Sequence, residues 1–387
     1  MSTADANVAF VNHKIIVWAR KRRGLSYEQI QQALRVTPEQ FVAWEEGKAH
    51  PPFDKAQELA RLLQVPFGYF FLSDEPKDEI PIKDFRKLAD SYKPSTNFLE
   101  LLDDVLVKQD WYRDYLQDEG EAGPKFIGKF SASDDPKVVA ADMRTTLHLS
   151  PSLRASSYSW SDYLTNLALH AEEAKILVMR SGVVANSKRK LSFREFQGFA
   201  VSDPLAPVVF VNSDDFKAAQ IFTLAHEMAH LWIGQSAISN PDPSAIDVPL
   251  GKIEFFCNQV AVELLVPRLE FTDGWNAARG KDKEVKIEYL AGTFWVSTLV
   301  VLRRANELQK VSQSEFFELR EKFRKKQKPK SATAKARYYR NIAPRMSRRL
   351  TNAVLGDLHN GRILYRDAAR LLGLRIPTLV KFAEIRR

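Results

Sequence analysis

The chain has 387 residues, 45% of them hydrophobic and 27% charged, the balance of a globular protein with a sizeable core in two or three domains. Its one cysteine, Cys257, excludes an intramolecular disulfide and fits a reducing, cytoplasmic compartment. The formal charge is +9, but twelve Lys or Arg and no acid lie between Lys322 and Arg349, so the basic character is local and the remainder is slightly acidic. Residues 1–10 carry Asp5 and no basic-then-apolar pattern, so no signal peptide is expected. The most apolar stretch, 289–302, is short and broken by Thr293, Ser297 and Thr298, which predicts a buried helix pair and no membrane span.

In chain order, residues 14–72 predict a five-helix bundle. A helix over 14–23 ends at Gly24. Ser26 with Gln29 opens a second helix to Leu34, and Thr37 with Gln40 repeats that capping pattern with Pro38 at the first helical position. The third helix stops at Gly47, Asp54 caps a fourth, and 66–71 is a short fifth. The tight link 35–37 makes the second and third helices a helix-turn-helix. Residues 76–95, with Pro76, Pro81 and Pro94, read as a linker. Helices follow at about 96–118, 135–147 and 161–173, then short apolar runs at 176–179 and 207–211 predict two strands of a small sheet. A long helix is expected over 214–233, another over 253–266 stopped by Pro267, and a bent pair over 282–308. The last forty residues give a further helix pair around 373–377.

The sharpest chemical signal is His226-Glu227-Met228-Ala229-His230. Residues four apart share one face of a helix, so both imidazoles can reach one Zn²⁺, with Glu227 placed to take a proton from water. Against this stands the plain reading of two histidines that merely fall four apart, and the helix-forming surroundings weigh against it. A catalytic zinc site needs a third protein ligand. His13, His50, His148, His170 and His359 have no local partner spacing. Glu254 opens the next helix with Asn258 one turn on, where the amide can steady a ligand histidine. Asp247 and Glu263 are rivals, and Glu254 can equally be a favourable acid at a helix start.

These residues resemble the ImmA/IrrE-type metallopeptidases, often preceded by a Cro/C1-type (XRE) helix-turn-helix. Residues 222–231 are similar to that family's active-site helix. Glu254-Phe255-Phe256-Cys257-Asn258, followed by Leu264-Leu265-Val266-Pro267, resembles its second motif, in which a Glu four before an Asn supplies the third ligand. Residues 199–201 and 207–212 resemble the strands before the helix, and 19–47 the Cro/C1 pattern. The resemblance spans about 14–310, with a weaker echo at 360–383. It implies Zn²⁺ held by His226, His230 and Glu254, with Glu227 as general base and Asn258 in support. Cys257 stands where the family commonly has alanine.

If the helix-turn-helix reads DNA, Thr37, Pro38, Glu39, Gln40 and Ala43 face the bases, and Arg22 and Arg23 serve the backbone with Arg20, Lys21 and Arg35. Residues 1–74 carry nine basic and eight acidic side chains, a weak electrostatic footprint. The alternative is a bundle for dimerisation or partner binding. The segment 322–349, with Tyr338 and Tyr339, suits polyanion contact, or serves as a solvated connector.

The reading is an α+β, mainly helical protein: a helix-turn-helix domain over 1–75, a linker over 76–95, a zincin-like domain with a small sheet over 96–310, a helix and basic segment over 311–350, and a helical region over 351–387. The leading function is a DNA-binding regulator joined to a zinc endopeptidase-type domain that cleaves one partner protein, such as a repressor or antitoxin. The alternative is a non-catalytic regulator or antitoxin of a toxin–antitoxin pair, with a structural or degenerate metal site. A scaffold using both helix-turn-helix regions for protein contacts is a third. Expected partners are DNA, a protein substrate or cognate toxin, and a second copy of the chain, with no membrane.

Overall fold

The computed structural model describes residues 8–63, 65–76, 82–84, 94–184, 189–244, 251–278, 282–326 and 345–385. They fall into two compact units, one of residues 1–81 with 91–102 and one of 82–90 with 103–387.

In the first unit the caps legible in the sequence set the helix starts. Asn12 accepts from Lys14 N and opens α1 (His13–Arg23), and Gly24, at φ +66°, ends it. Ser26 and Gln29 cap each other at α2 (Tyr27–Leu34), and Thr37 and Gln40 do so at α3 (Pro38–Glu45). Arg35, at φ 55°, turns the chain between them. α4 (Phe53–Leu63) begins one residue before Asp54, which therefore sits in its first turn and is not its cap. The expected fifth helix is a 3-10 segment, Phe67–Phe71. Five residues containing Gly68 are too few to repay nucleation of an α-turn. Ile15, Ile16, Ile30, Phe41, Leu59 and Phe70 form the core of this bundle.

The second unit is built on a five-stranded mixed sheet. Its strands are β1 (Lys83–Asp84), β2 (Leu177–Ser181), β3 (Gly198–Val201), β4 (Val208–Asn212) and β5 (Ala237–Ser239), in spatial order β1-β5-β3-β4-β2. β1 runs parallel to β5, and β2 parallel to β4, while β3 is antiparallel to β4 and β5. The apolar runs predicted β2 and β4, and the family resemblance pointed to β3 through residues 199–201. β1 and β5 were not foreseen: they have two and three residues, too short for a period, and β5 is buried throughout, so no polar alternation marks it. β1 lies inside the stretch read as a linker.

The helices are α5 (Thr96–Asp118), α6 (Pro136–Thr146), α7 (Pro151–Ala155), α8 (Trp160–Glu173), α9 (Lys217–Trp232), α10 (Lys252–Leu265), α11 (Arg268–Ala277), α12 (Lys283–Phe294), α13 (Thr298–Glu307), α14 (Gln313–Lys326), α15 (Arg348–His359), α16 (Tyr365–Leu371) and α17 (Ile376–Ile385). α9 packs on β3 and β4 and is flanked by α8 and α10. α11 was not foreseen: Pro267 ends α10 but then serves as the N-cap of the next helix. No single described helix is long and apolar enough to cross a membrane, and the apolar pair α12–α13 is bent by 113° at its break.

Two buried acids tie late segments to the unit. Glu172 of α8 accepts from Ser347 Oγ and Arg348 N, both at 2.6 Å, at the start of α15. Glu263 of α10 binds the fully buried Arg304 of α13 at 2.8 Å. The described part of the basic stretch is largely paired within the protein. Lys322 and Lys326 meet Glu284, and Arg324 meets Asp242 at 2.6 Å. Residues 327–344, with Tyr338 and Tyr339, lie outside the described residues.

Candidate metal centre

α9 carries the His-Glu-x-x-His run, and its whole length from Gln220 to Trp232 is buried. Its start has no capping side chain of its own. Instead Gln220 Nε2 donates back to Asp215 O at 2.6 Å and Ser213 O at 3.2 Å. Its last carbonyls are met from outside, Leu231 O by Gly128 N and Trp232 O by Phe130 N, both at 3.0 Å. Trp232 stacks on Phe126 and donates to Asp142. Both ends being fixed, the histidines are held in place. Gly198 lets the sheet approach: a Cβ there would lie 2.6 Å from Thr223 Cγ2, 2.9 Å from Phe210 O and 3.0 Å from Glu227 Cγ.

α10 brings the third side chain. His226 Nε2 lies 3.1 Å from His230 Nε2 and 3.2 Å from Glu254 Oε2, and His230 Nε2 lies 3.0 Å from Glu254 Oε1. Donor atoms of three side chains thus lie within reach of a single ion. The edge of a tetrahedron of zinc ligands is roughly 3.3 Å at ordinary zinc–nitrogen bond lengths. The donor set and its spacing therefore fit Zn²⁺. His226 Nδ1 lies 3.0 Å from Asn258 Oδ1, an acceptor for an Nδ1–H, which leaves Nε2 with its lone pair toward the cluster.

Both carboxylate oxygens of Glu227 are buried without a hydrogen-bond partner. Burial, and then the charge of Glu254, push its carboxyl well above the ordinary range. Burial alone would raise Glu254, but the two imidazoles overrule it and hold that carboxyl well below the ordinary range. His230 is lowered, chiefly by burial. Two carboxylates side by side are thus driven apart, one toward holding a proton and one toward holding a cation.

The rivals fall away differently. Glu263 is taken by Arg304 and by Arg268, and Asp247 lies outside the described residues. Cys257 is fully buried beside the cluster without belonging to it. Ser239 of β5 was missed: its Oγ lies 3.4 Å from both His230 Nε2 and Glu254 Oε1. Only the order of the sheet brings it there, so no spacing could have announced it. His226, Glu227 and His230 have no exposed surface and Glu254 has 2%.

In the first unit Thr37, Pro38, Glu39 and Gln40 are exposed at the start of α3, and Ala43 is half-buried. Gln40 Oε1 is engaged by Thr37 N at 3.0 Å, so the side chain read as a base contact is also half of the helix cap. Arg22 and Arg23 are half-buried, with Arg22 over the Trp18 ring. Arg20 is not available for phosphate. It is bound to the buried Glu45 at 2.6 Å, with Tyr27 donating to the same carboxylate.

A helix-turn-helix bundle followed by a zincin-like domain, whose His-Glu-x-x-His helix meets a glutamate from the next helix, defines a metallopeptidase-type fold joined to a DNA-binding type of bundle. Family models agree: residues 171–306 match the IrrE N-terminal-like domain of the M78 peptidases, and residues 16–70 match a helix-turn-helix family. The two matches pair an ImmA/IrrE-type metallopeptidase domain with an N-terminal XRE-type helix-turn-helix domain. Residues 346–385 match a domain of unknown function (DUF8813). No curated protein matches the chain.

Proposed function

We propose that the protein is a DNA-binding regulator whose second unit is a zinc-dependent endopeptidase acting on a partner protein. The observation that carries this is the unpartnered, buried Glu227 beside the converging His226, His230 and Glu254. A purely structural site needs ligands but has no use for an adjacent buried acid that is not one of them.

His226 and His230 through Nε2, and Glu254 through its carboxylate, would hold the Zn²⁺. When bound, the ion polarises a water and the scissile carbonyl. Asn258 fixes the tautomer of His226 by accepting its Nδ1 proton. Glu227 takes the proton of the attacking water on a carboxylate oxygen and returns it to the leaving amine nitrogen. Burial and the charge of Glu254 raise its carboxyl, which favours taking up the water's proton. The dry surroundings strengthen each charge interaction.

A second reading, a regulator whose metal site is not catalytic, is favoured by the absence of exposed surface at His226, Glu227 and His230. The two readings part in a single experiment. The purified protein is incubated with candidate partner proteins of the repressor or antitoxin kind, and cleavage is followed with wild type and Glu227→Gln. The enzyme reading expects Glu227→Gln to lower cleavage by about 10²–10⁴-fold with zinc retained. Full cleavage by that variant would overturn the role of Glu227. Absence of cleavage by wild type, with a regulatory effect that survives Glu227→Gln, would favour the second reading.

A further inference from the structure

A cavity of about 630 Å³ lies beside the first half of α9, within the second unit. That size suits a small molecule or the side chains of a peptide. Its apolar walls include Trp160, Phe193, Phe222, Val296 and Leu299. Its polar walls are less ordinary. Asp215 and Asn240 line it, and Asp215 Oδ2 and Asn240 Oδ1 are buried without a hydrogen-bond partner. Both are acceptors. Trp160 Nε1 is similarly unpartnered and supplies one neutral donor, too little to favour an anion.

The other charged residues of the lining are already matched. Arg324 pairs with Asp242 at 2.6 Å, and Glu288 with Lys326 at 3.0 Å. Asp215 has only the Phe216 N–H, at 2.7 Å on Oδ1, and burial raises its carboxyl to about 6. A half-buried acid with one oxygen shut from solvent and unpaired is costly, and in native proteins such groups usually have a use.

We propose that this cavity binds a ligand with an apolar body and a cationic, hydrogen-bond-donating head, an alkylguanidinium or alkylammonium group, received by Asp215 and Asn240. The ligand has two natural sources, a free amine or the Arg or Lys side chain of a polypeptide. Its place gives it meaning for the protein. Phe222 stands one helical turn before His226, and Asn240 follows Ser239, which touches His230 and Glu254. An occupant therefore rests against the two elements that shape the metal centre. The claim concerns binding alone and does not require that centre to be catalytic.

The test is calorimetric titration of the full chain with hexylguanidine and hexylamine, with hexanol and hexanoate as controls. Asp215→Asn retains the acceptor for Phe216 N but loses the charge, and Ala218→Phe fills the cavity from α9. The cationic probes should bind at least about tenfold tighter than hexanol, and Asp215→Asn should cost them roughly ten- to a hundredfold while leaving hexanol unchanged. Ala218→Phe should weaken every probe that binds. Displacement of hexylguanidine by acetyl-Leu-Arg-Leu-amide would assign the ligand to a polypeptide side chain, and failure to displace it would assign a free amine. Hexanol or hexanoate binding as tightly as the cations, no binding of either cation, or no effect of Asp215→Asn would each overturn the proposal.

Discussion

Asn258 Oδ1 stands 3.0 Å from Nδ1 of His226, one turn along α10 from Glu254, so a single helix face both supplies a candidate ligand and orients another. Asn258→Ala should leave the fold intact and weaken zinc binding by about 10–100-fold, and Asn258→Asp should restore most of it. Competition with a chromophoric chelator measures this. Unchanged affinity in Asn258→Ala would remove the amide from the account.

Gly198 sets the distance between the sheet and α9. Gly198→Ala places a methyl group against Thr223, Glu227 and the carbonyl of Phe210, and the last of these is backbone and cannot swing aside. The expected loss of stability is about 1–3 kcal/mol in urea unfolding. Displacement of Glu227 should lower any peptidase activity further than that loss explains. A variant with wild-type stability and activity would show that the close approach is not needed.

Asp215 gives a pH signature. Its carboxyl sits at about 6 in the folded chain and near its ordinary 3.8 when unfolded. Between those values the folded state holds the extra proton, so this group's contribution to stability falls as pH rises through the window. Asp215→Asn should therefore raise the melting temperature above pH 6 and change it little near pH 4. Partial exposure discounts the gain to roughly 1–2 kcal/mol, a few degrees. A gain confined to low pH would contradict the assignment.

The first unit should respond to its caps and its cations separately. Thr37→Ala removes the acceptor for Gln40 N, and should cost about 1 kcal/mol of stability. Arg22→Ala should weaken DNA binding across all sequences and reduce the salt slope by about 1. Fluorescence anisotropy against salt concentration checks it. A slope unchanged in Arg22→Ala would take that side chain away from the phosphates.

The legible features of this chain are those fixed by local chemistry. Ser26 with Gln29, and Thr37 with Gln40, announce helix starts because the cap is completed within four residues. His226 and His230 announce a shared face for the same reason, and Glu254 with Asn258 repeats it one helix later. Illegible were features that depend on distant partners. β1 and β5 are strands only because they pair with each other and, through β5, with β3. Ser239 reaches the cluster through that pairing. Arg20 reads as a phosphate contact until Glu45, 25 residues on, is found beside it. Composition likewise marks 322–349 as a free basic stretch, while Glu284 and Asp242, far away in sequence, neutralise its first turn.

The most direct test is the zinc content of the purified full-length protein, measured by mass spectrometry of the metal for wild type, His226→Ala, Glu254→Ala and Glu227→Gln. One zinc per chain in wild type and Glu227→Gln, with loss in the other two, is the expected result, since Glu227 stands beside the proposed ligands and is not counted among them. Wild-type protein that takes up no zinc, or a His226→Ala variant that holds it as tightly, would contradict the account.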